Sequence, residues 1–200
     1  MKIFLLFIFS TMSFCSFGNE SESNLGIELL VSIRESNLEK FEELLKLGVD
    51  PNYRDENGEP SQRPVVLELA AVHRDPNYLK LALKYGGNPN TLDGYESKTI
   101  LFEASKHSRL SNVKILVVAG ARLDELDDSE GTALHTAIAV KNFDIAHYLI
   151  MAGASLTHKN KWGYTPLDML RKYGNAGVKK YSEQYQWYLK VVQITGIENV

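Results

Sequence analysis

The sequence predicts an all-α solenoid: about five helix–turn–helix repeats stacked side by side, closed by a C-terminal capping helix. Three observations predict it. Two short runs, Gly131-Thr132-Ala133-Leu134-His135 and Tyr164-Thr165-Pro166-Leu167-Asp168, share one pattern, and Thr99-Ile100-Leu101 precedes the first of them by the same interval that separates Thr132 from Thr165. Each intervening segment carries apolar residues at helical spacing and ends in Gly-Ala, at Gly120-Ala121 and Gly153-Ala154. The unit reads turn, helix, helix, Gly, and a unit this small buries its apolar faces only against copies of itself.

The first residues read differently from the rest. Lys2 precedes an unbroken apolar run, Ile3 to Phe9, followed by small and polar residues. That run is far short of the roughly 20 residues a membrane-spanning helix needs. A basic start, a short apolar run and a small-residue exit read as a secretory signal peptide over 1–18, cut after Gly18 or alternatively after Cys15. Cys15 has the alternative role of a lipid-anchored cysteine, but Phe14 is bulky where a lipoprotein signal wants a small residue, so we read Cys15 as part of the discarded signal. A chain cut after Gly18 has no cysteine, which excludes disulfides, thiol catalysis and cysteine-based metal sites together. Residues 19–24 are polar and read as a flexible leader ending in helix N-cap residues.

The predicted array fills 25–200. Repeat 1 covers 25–52. Leu25, Leu29, Leu30 and Ile33 share one helical face, Ser36-Asn37 breaks the pattern, and Leu38, Phe41, Leu44 and Leu45 resume it up to Gly48. The connection to repeat 2 is long. The stretch from Gly48 to Val65 exceeds each of its later counterparts, Gly86 to Thr99, Gly120 to Thr132 and Gly153 to Thr165. Gly58, Pro60 and Pro64 make the excess a protruding turn, either a binding insertion or a tolerated surface loop. Repeat 2 (64–90) keeps Leu67 and the paired Ala70-Ala71, with Pro76 near the start of its second helix.

Repeat 3 (93–124) holds Thr99, Leu101 and Ala104, then Val113, Leu116 and Val117. Repeat 4 (127–157) has the cleanest pattern. Repeat 5 (160–193) begins like the others, but from Gly177 to Gln193 it reads as a single capping helix. Val178, Tyr181, Tyr185, Tyr188 and Val192 form its apolar face, and Lys179, Lys180, Glu183, Gln184 and Gln186 its wet face.

The Thr-Pro-Leu-(His/Asp) tetrad with a later Leu…Gly-Ala resembles the ankyrin repeat over about residues 25–190. The resemblance implies a protein-binding array in which turn tips and the ends of first helices form one concave surface. It also implies that the imidazole of His135, at the fourth position of the tetrad, bonds turn backbone. Carried over by position, the surface comprises Tyr95, Glu96, Lys98, Lys106 and His107 from repeat 3, and Asp128 and Ser129 from repeat 4. Repeat 5 contributes Lys159, Lys161, Trp162, Tyr164, Lys172 and Tyr173. Trp162 has two open roles, interface contact or packing beneath the capping helix. His73 stands at a helix end like His107, with binding and plain exposure both open. His147 is expected at the surface or an edge.

No catalytic constellation emerges. The five histidines form no helical zinc motif, no serine sits in a Gly-x-Ser-x-Gly elbow, and no glycine-rich phosphate loop follows a strand. Asp124, Glu125, Asp127, Asp128 and Glu130 lack the alternation of a calcium loop and read as an acidic hairpin tip. No cofactor or metal is expected. Formal net charge is −3, and loss of Lys2 with the signal would leave −4, which excludes the basic footprint of a nucleic-acid binder. The expected function is that of an exported, non-enzymatic module that binds a protein partner and is monomeric when free. The specific expectation is a periplasmic immunity or inhibitor protein for a secreted toxin; a periplasmic stress-protection factor and a secreted effector that binds a host protein are the alternatives.

Overall fold

Among the described residues, five helix pairs stand in two rows. The structure, a computed structural model, describes residues 15–56, 63, 65–95, 98–174, 176–180 and 182–197. The first helices are α1 (Cys15–Arg34), α3 (Val66–Val72), α5 (Ile100–Lys106), α7 (Ala133–Ala139) and α9 (Pro166–Tyr173). The second helices are α2 (Leu38–Lys46), α4 (Asn77–Lys84), α6 (Leu110–Val118), α8 (Phe143–Met151) and α10 (Glu183–Thr195). Each first helix packs on the next first helix, and each second helix on the next second helix, so α10 lies against α8. One continuous core runs between the rows, through Leu29, Phe41, Leu67, Tyr78, Leu101, Leu116, Leu134, Phe143 and Leu149.

The glycines that end the second helices explain the period. Gly48, Gly86, Gly120 and Gly153 have φ of 91°, 100°, 91° and 98°, the left-handed region that side chains resist. Each supports a Schellman closure. Gly120 N–H donates to Val117 O at 3.1 Å and Ala121 N–H to Leu116 O at 2.9 Å. The chain then turns into a hairpin. Among the described residues the only β-bridges are Arg54 with Val65 and Leu92 with Thr99, which close the hairpins before α3 and α5. The part of the repeat 2 turn expected to protrude, with Gly58, Pro60 and Pro64, lies outside the described residues.

Three expectations change. Residues 19–24 lie within α1, which extends without a break from Cys15. Once Leu29, Leu30 and Ile33 anchor the helix, adding turns carries no nucleation cost. The expected cut after Gly18 therefore falls inside α1; the signal segment up to residue 14 lies outside the described residues. Second, α10 starts at Glu183 rather than Gly177. Gly177 takes φ 74°, which stops a right-handed helix, and the Ser182 hydroxyl caps α10 by accepting Tyr185 N–H at 3.1 Å. Val178, Lys179 and Lys180 thus stand in a loop, and Tyr181 lies outside the described residues. Third, Gln184 faces inward. Its Oε1 accepts Phe143 N–H at 2.8 Å, while Tyr188 packs edge-on to Phe143 at 5.3 Å. His147, expected at the surface or an edge, lies 5.3 Å from the Trp187 ring.

Nothing lies within 4 Å of a Cβ built on Gly120, so Gly120→Ala tests backbone strain alone. Urea unfolding should show a loss of about 1 kcal/mol, and Gly120→Asn a smaller one. Removal of residues 176–200 should uncover Phe143 and the α8 face, and sedimentation should detect aggregation.

Candidate binding surface

In repeats 3 to 5, one side chain fastens each turn tip. The Asp127 carboxylate accepts Ser129 N–H at 2.9 Å, Gly131 N–H at 2.8 Å and the Ser129 hydroxyl at 3.0 Å. In the next tip, one repeat on, Asn160 Oδ1 accepts the N–H groups of Trp162 and Tyr164, both at 3.1 Å. Asp93 holds Lys98 N–H at 3.3 Å in the same way. Neighbouring tips also join, since Lys161 N–H donates to Ser129 O at 2.9 Å. The acidic segment 124–130 is thus a hydrogen-bonded tip, and no metal-binding group occurs among the described residues.

These fasteners set the side chains of repeat 5 outward. Trp162 is 64% exposed, with Lys161 Nζ 4.8 Å from its ring, so it is not packed beneath α10. Tyr164 and Tyr173 meet edge to face at 6.3 Å, and Lys172 lies between them, 4.8 and 5.1 Å from the two rings. Lys172 Nζ donates to the Tyr164 hydroxyl at 2.8 Å. That bond, with the neighbouring Tyr173 hydroxyl, holds the Tyr164 phenol below its usual range and the Lys172 ammonium above its own. Lys141 donates to Tyr173 O, tying the end of α9 to the repeat 4 helix turn. Lys159 is exposed nearby.

The remaining predicted residues are scattered. Tyr95 is exposed on the repeat 3 tip, and Glu96 lies outside the described residues. Lys98 stands 6.0 Å from the Phe102 ring. Lys106 and His107 both pair with buried Glu103, at 3.5 and 3.4 Å. Asp128 is exposed, whereas the Ser129 hydroxyl is taken by Asp127. His73 is half-buried and held in place: its ring lies 4.4 Å from Tyr78, Nδ1 accepts Asp75 N–H at 3.1 Å, and Nε2 faces the Ser36 hydroxyl at 3.3 Å.

His135 does what its position implies. Nδ1 accepts Thr132 N–H at 3.1 Å, and Nε2 donates to Tyr164 O at 3.2 Å, across to the next repeat. In the equivalent place of repeat 5, Asp168 accepts Thr165 N–H at 3.0 Å and the Thr165 hydroxyl at 2.7 Å. Those bonds hold the Asp168 carboxyl below its ordinary range.

The repeated tetrad, the paired helix rows and the fastened tips agree with a comparison of sequences: residues 67–160 match the family described as ankyrin repeats, in three copies. Ankyrin repeats account for residues 67–160. It is 29% identical over 178 residues to the potassium channel AKT1 of Arabidopsis thaliana, covering 74% of this chain and 20% of that protein. It is 36% identical over 97 residues to the glycerophosphocholine phosphodiesterase gde1 of Schizosaccharomyces pombe, covering 48% and 8%. To the nuclear factor NF-kappa-B p105 subunit of Gallus gallus it is 32% identical over 133 residues, covering 64% and 13%. The chain spans a fifth or less of each of these relatives, whose names have little in common. The repeats imply a protein–protein interaction module, and the relative named as an enzyme is matched over a small part of its length. Among the described residues no helix is long and apolar enough to cross a membrane.

Burial holds His135 below its ordinary pKa, against the partly compensating bond to Tyr164 O. The unfolded chain therefore takes up this proton first, and the stability held by neutral His135 is lost as pH falls below about 6.5. Protonation also occupies Nδ1, which accepts Thr132 N–H. Melting temperature should drop between pH 7 and pH 5, and His135→Gln should flatten that part of the profile in scanning calorimetry.

Proposed function

We propose that this chain is an exported, non-enzymatic module that holds a protein partner on its turn tips and first-helix ends. The observation that carries the reading is the cluster of exposed Lys161, Trp162, Lys172 and Tyr173 around half-buried Tyr164. Aromatic rings and cations presented on hydrogen-bonded tips have the composition of interface hot spots. Since Trp162 takes no part in the core, its exposure is left for a partner to cover. The acidic tip at 124–130 beside this cluster gives a charge-split surface, which steers a complementary partner and sets its register more than it adds affinity.

The finer reading is an immunity or inhibitor protein for a secreted toxin, working in the periplasm. A basic-apolar start like that of a signal peptide, a small array and the lack of any catalytic constellation in the sequence support it. A blocking protein needs only surface, rigidity and export to the compartment where the toxin acts.

Affinity capture with the full chain should recover a stoichiometric protein. Trp162→Ala with Tyr164→Ala should weaken that complex by about 2 kcal/mol or more, on the order of 30-fold in Kd, with circular dichroism unchanged. Loss of helical signal would instead assign the rings to folding, and undiminished capture would remove the cluster from the interface. Expression of the captured protein should arrest growth unless this chain is co-expressed, and chain recovered from periplasm should lack residues 1–18 by mass.

A further inference from the structure

Arginine is the side chain best shaped to grip a carboxylate, through two parallel hydrogen bonds. Most arginines in this chain are already engaged. Arg54 donates to Asp93 O and Leu92 O at 2.9 and 3.3 Å, and Arg109 to Val72 O at 2.8 Å. Arg63 pairs with Glu56 at 3.1 Å, Arg122 with Glu125 at 2.9 Å, and Arg171 lies 3.9 Å from Asp168. The other two, Arg34 and Arg74, make no ion pair or hydrogen bond among the described residues, and both line the same hollow.

That hollow holds about 400 Å³ and lies where the C-terminal ends of α1 and α3 meet. Ile33, Leu69 and Val72 give it an apolar lining, and the bonded pair Ser36 and His73, 3.3 Å apart, completes it. Its size falls in the range of ligand sites. Its rim is nevertheless open, for Arg34, Ser36 and Arg74 are all exposed. A small-molecule site encloses most of its ligand; an open hollow on the first-helix row suits a side chain presented by a larger body.

We propose that this hollow is a recognition site for an acidic-apolar segment of a partner protein. One Asp or Glu carboxylate seats between Arg34 and Arg74, and an adjacent large apolar side chain covers Ile33, Leu69 and Val72. The proposal rests on the reading of the chain as a protein-binding module, and places a second anchor at the opposite end of the array from Trp162. Charge complementarity selects the occupant: two guanidiniums with no ion pair among the described residues, set around an apolar floor, reject neutral and basic segments and leave a bare hydrophobe without a partner for the cations. Two anchors at opposite ends also fix the direction in which a partner lies along the array.

Four probes test it on the full chain by ¹H–¹⁵N correlation spectra. They are an end-blocked hexapeptide with Glu-Leu at its centre, its Gln-Leu and Glu-Ala counterparts, and free hexanoate. The Glu-Leu peptide should shift the amides of Arg34, Leu69, His73 and Arg74 at millimolar concentration. Either peptide change, or Arg74→Gln, should weaken binding on the order of tenfold. Arg74 lies outside any helix, so this variant leaves the fold intact, whereas Arg34 also balances the dipole at the end of α1. Absence of these shifts overturns the proposal, as does equal binding by the Gln-Leu peptide or by Arg74→Gln. Equal shifts from hexanoate overturn it too, in favour of a small-molecule site. None of these failures touches the capture experiment, which tests the module reading with no peptide probe.

Discussion

The first helices of the middle repeats cannot stand alone. α3, α5 and α7 have seven residues each, about half the length at which an isolated helix becomes marginal. Their last carbonyls have no partner within the helix. For α3 and α5 the next repeat supplies one. Arg109 donates to Val72 O at 2.8 Å, and buried Asn112 to Ala71 O and His73 O at 2.8 and 2.9 Å. Asn142 repeats the arrangement one unit on, donating to Ser105 O at 2.7 Å. α3 and α5 are therefore capped by the repeats that follow them, in keeping with an array whose stability is a sum over neighbours.

The same dependence explains a local strain. Ser36, Ser108 and Lys141 join first to second helices with φ of 57°, 56° and 64°, where glycine is the unstrained choice. Each instead sends its side chain to the following repeat: Ser36 to His73, Ser108 to Asn142 at 2.7 Å, Lys141 to Tyr173 O. Backbone strain is exchanged for a contact between repeats. On the other side of the stack, Asn52, Asn90 and Asp124 accept N–H groups of Asn88, Arg122 and Ser155 at 2.7, 2.8 and 2.8 Å. With both ends of the helices tied to neighbours, the tips are held firmly while contributing little core of their own, which frees Trp162 and its cations for recognition.

The constant spacing of Thr99, Thr132 and Thr165 made most of this legible from sequence, because the tetrad and the Gly-Ala ends are local signals that repeat. His135 was legible for the same reason. The start of α10 was not, since the apolar residues keep helical spacing from Val178 onward, and only the left-handed backbone of Gly177 and the cap at Ser182 show that the helix begins later. The inward turn of Gln184 was hidden because its partner, Phe143 N–H, is a helix-end donor 41 residues away. The two arginines of the hollow had no sequence signal: what distinguishes Arg34 and Arg74 is the lack of an ion pair or hydrogen bond among the described residues, and pairing exists only after the fold has formed. Family position put the residues assigned to the surface in repeats 3 to 5, and of the hollow's lining it pointed only to His73, with binding and plain exposure both open.

The central claim is that recognition belongs to the tips and the first-helix row, while the second-helix row serves the fold. Hydrogen exchange of the full chain, free and bound to its captured partner, tests this most directly. The account predicts that the partner slows exchange in the tips around 127–131 and 160–164 and at the ends of the first helices, leaving α4, α6 and α8 unchanged. Protection confined to α4, α6, α8 and α10, with the tips exchanging as in the free chain, would contradict it.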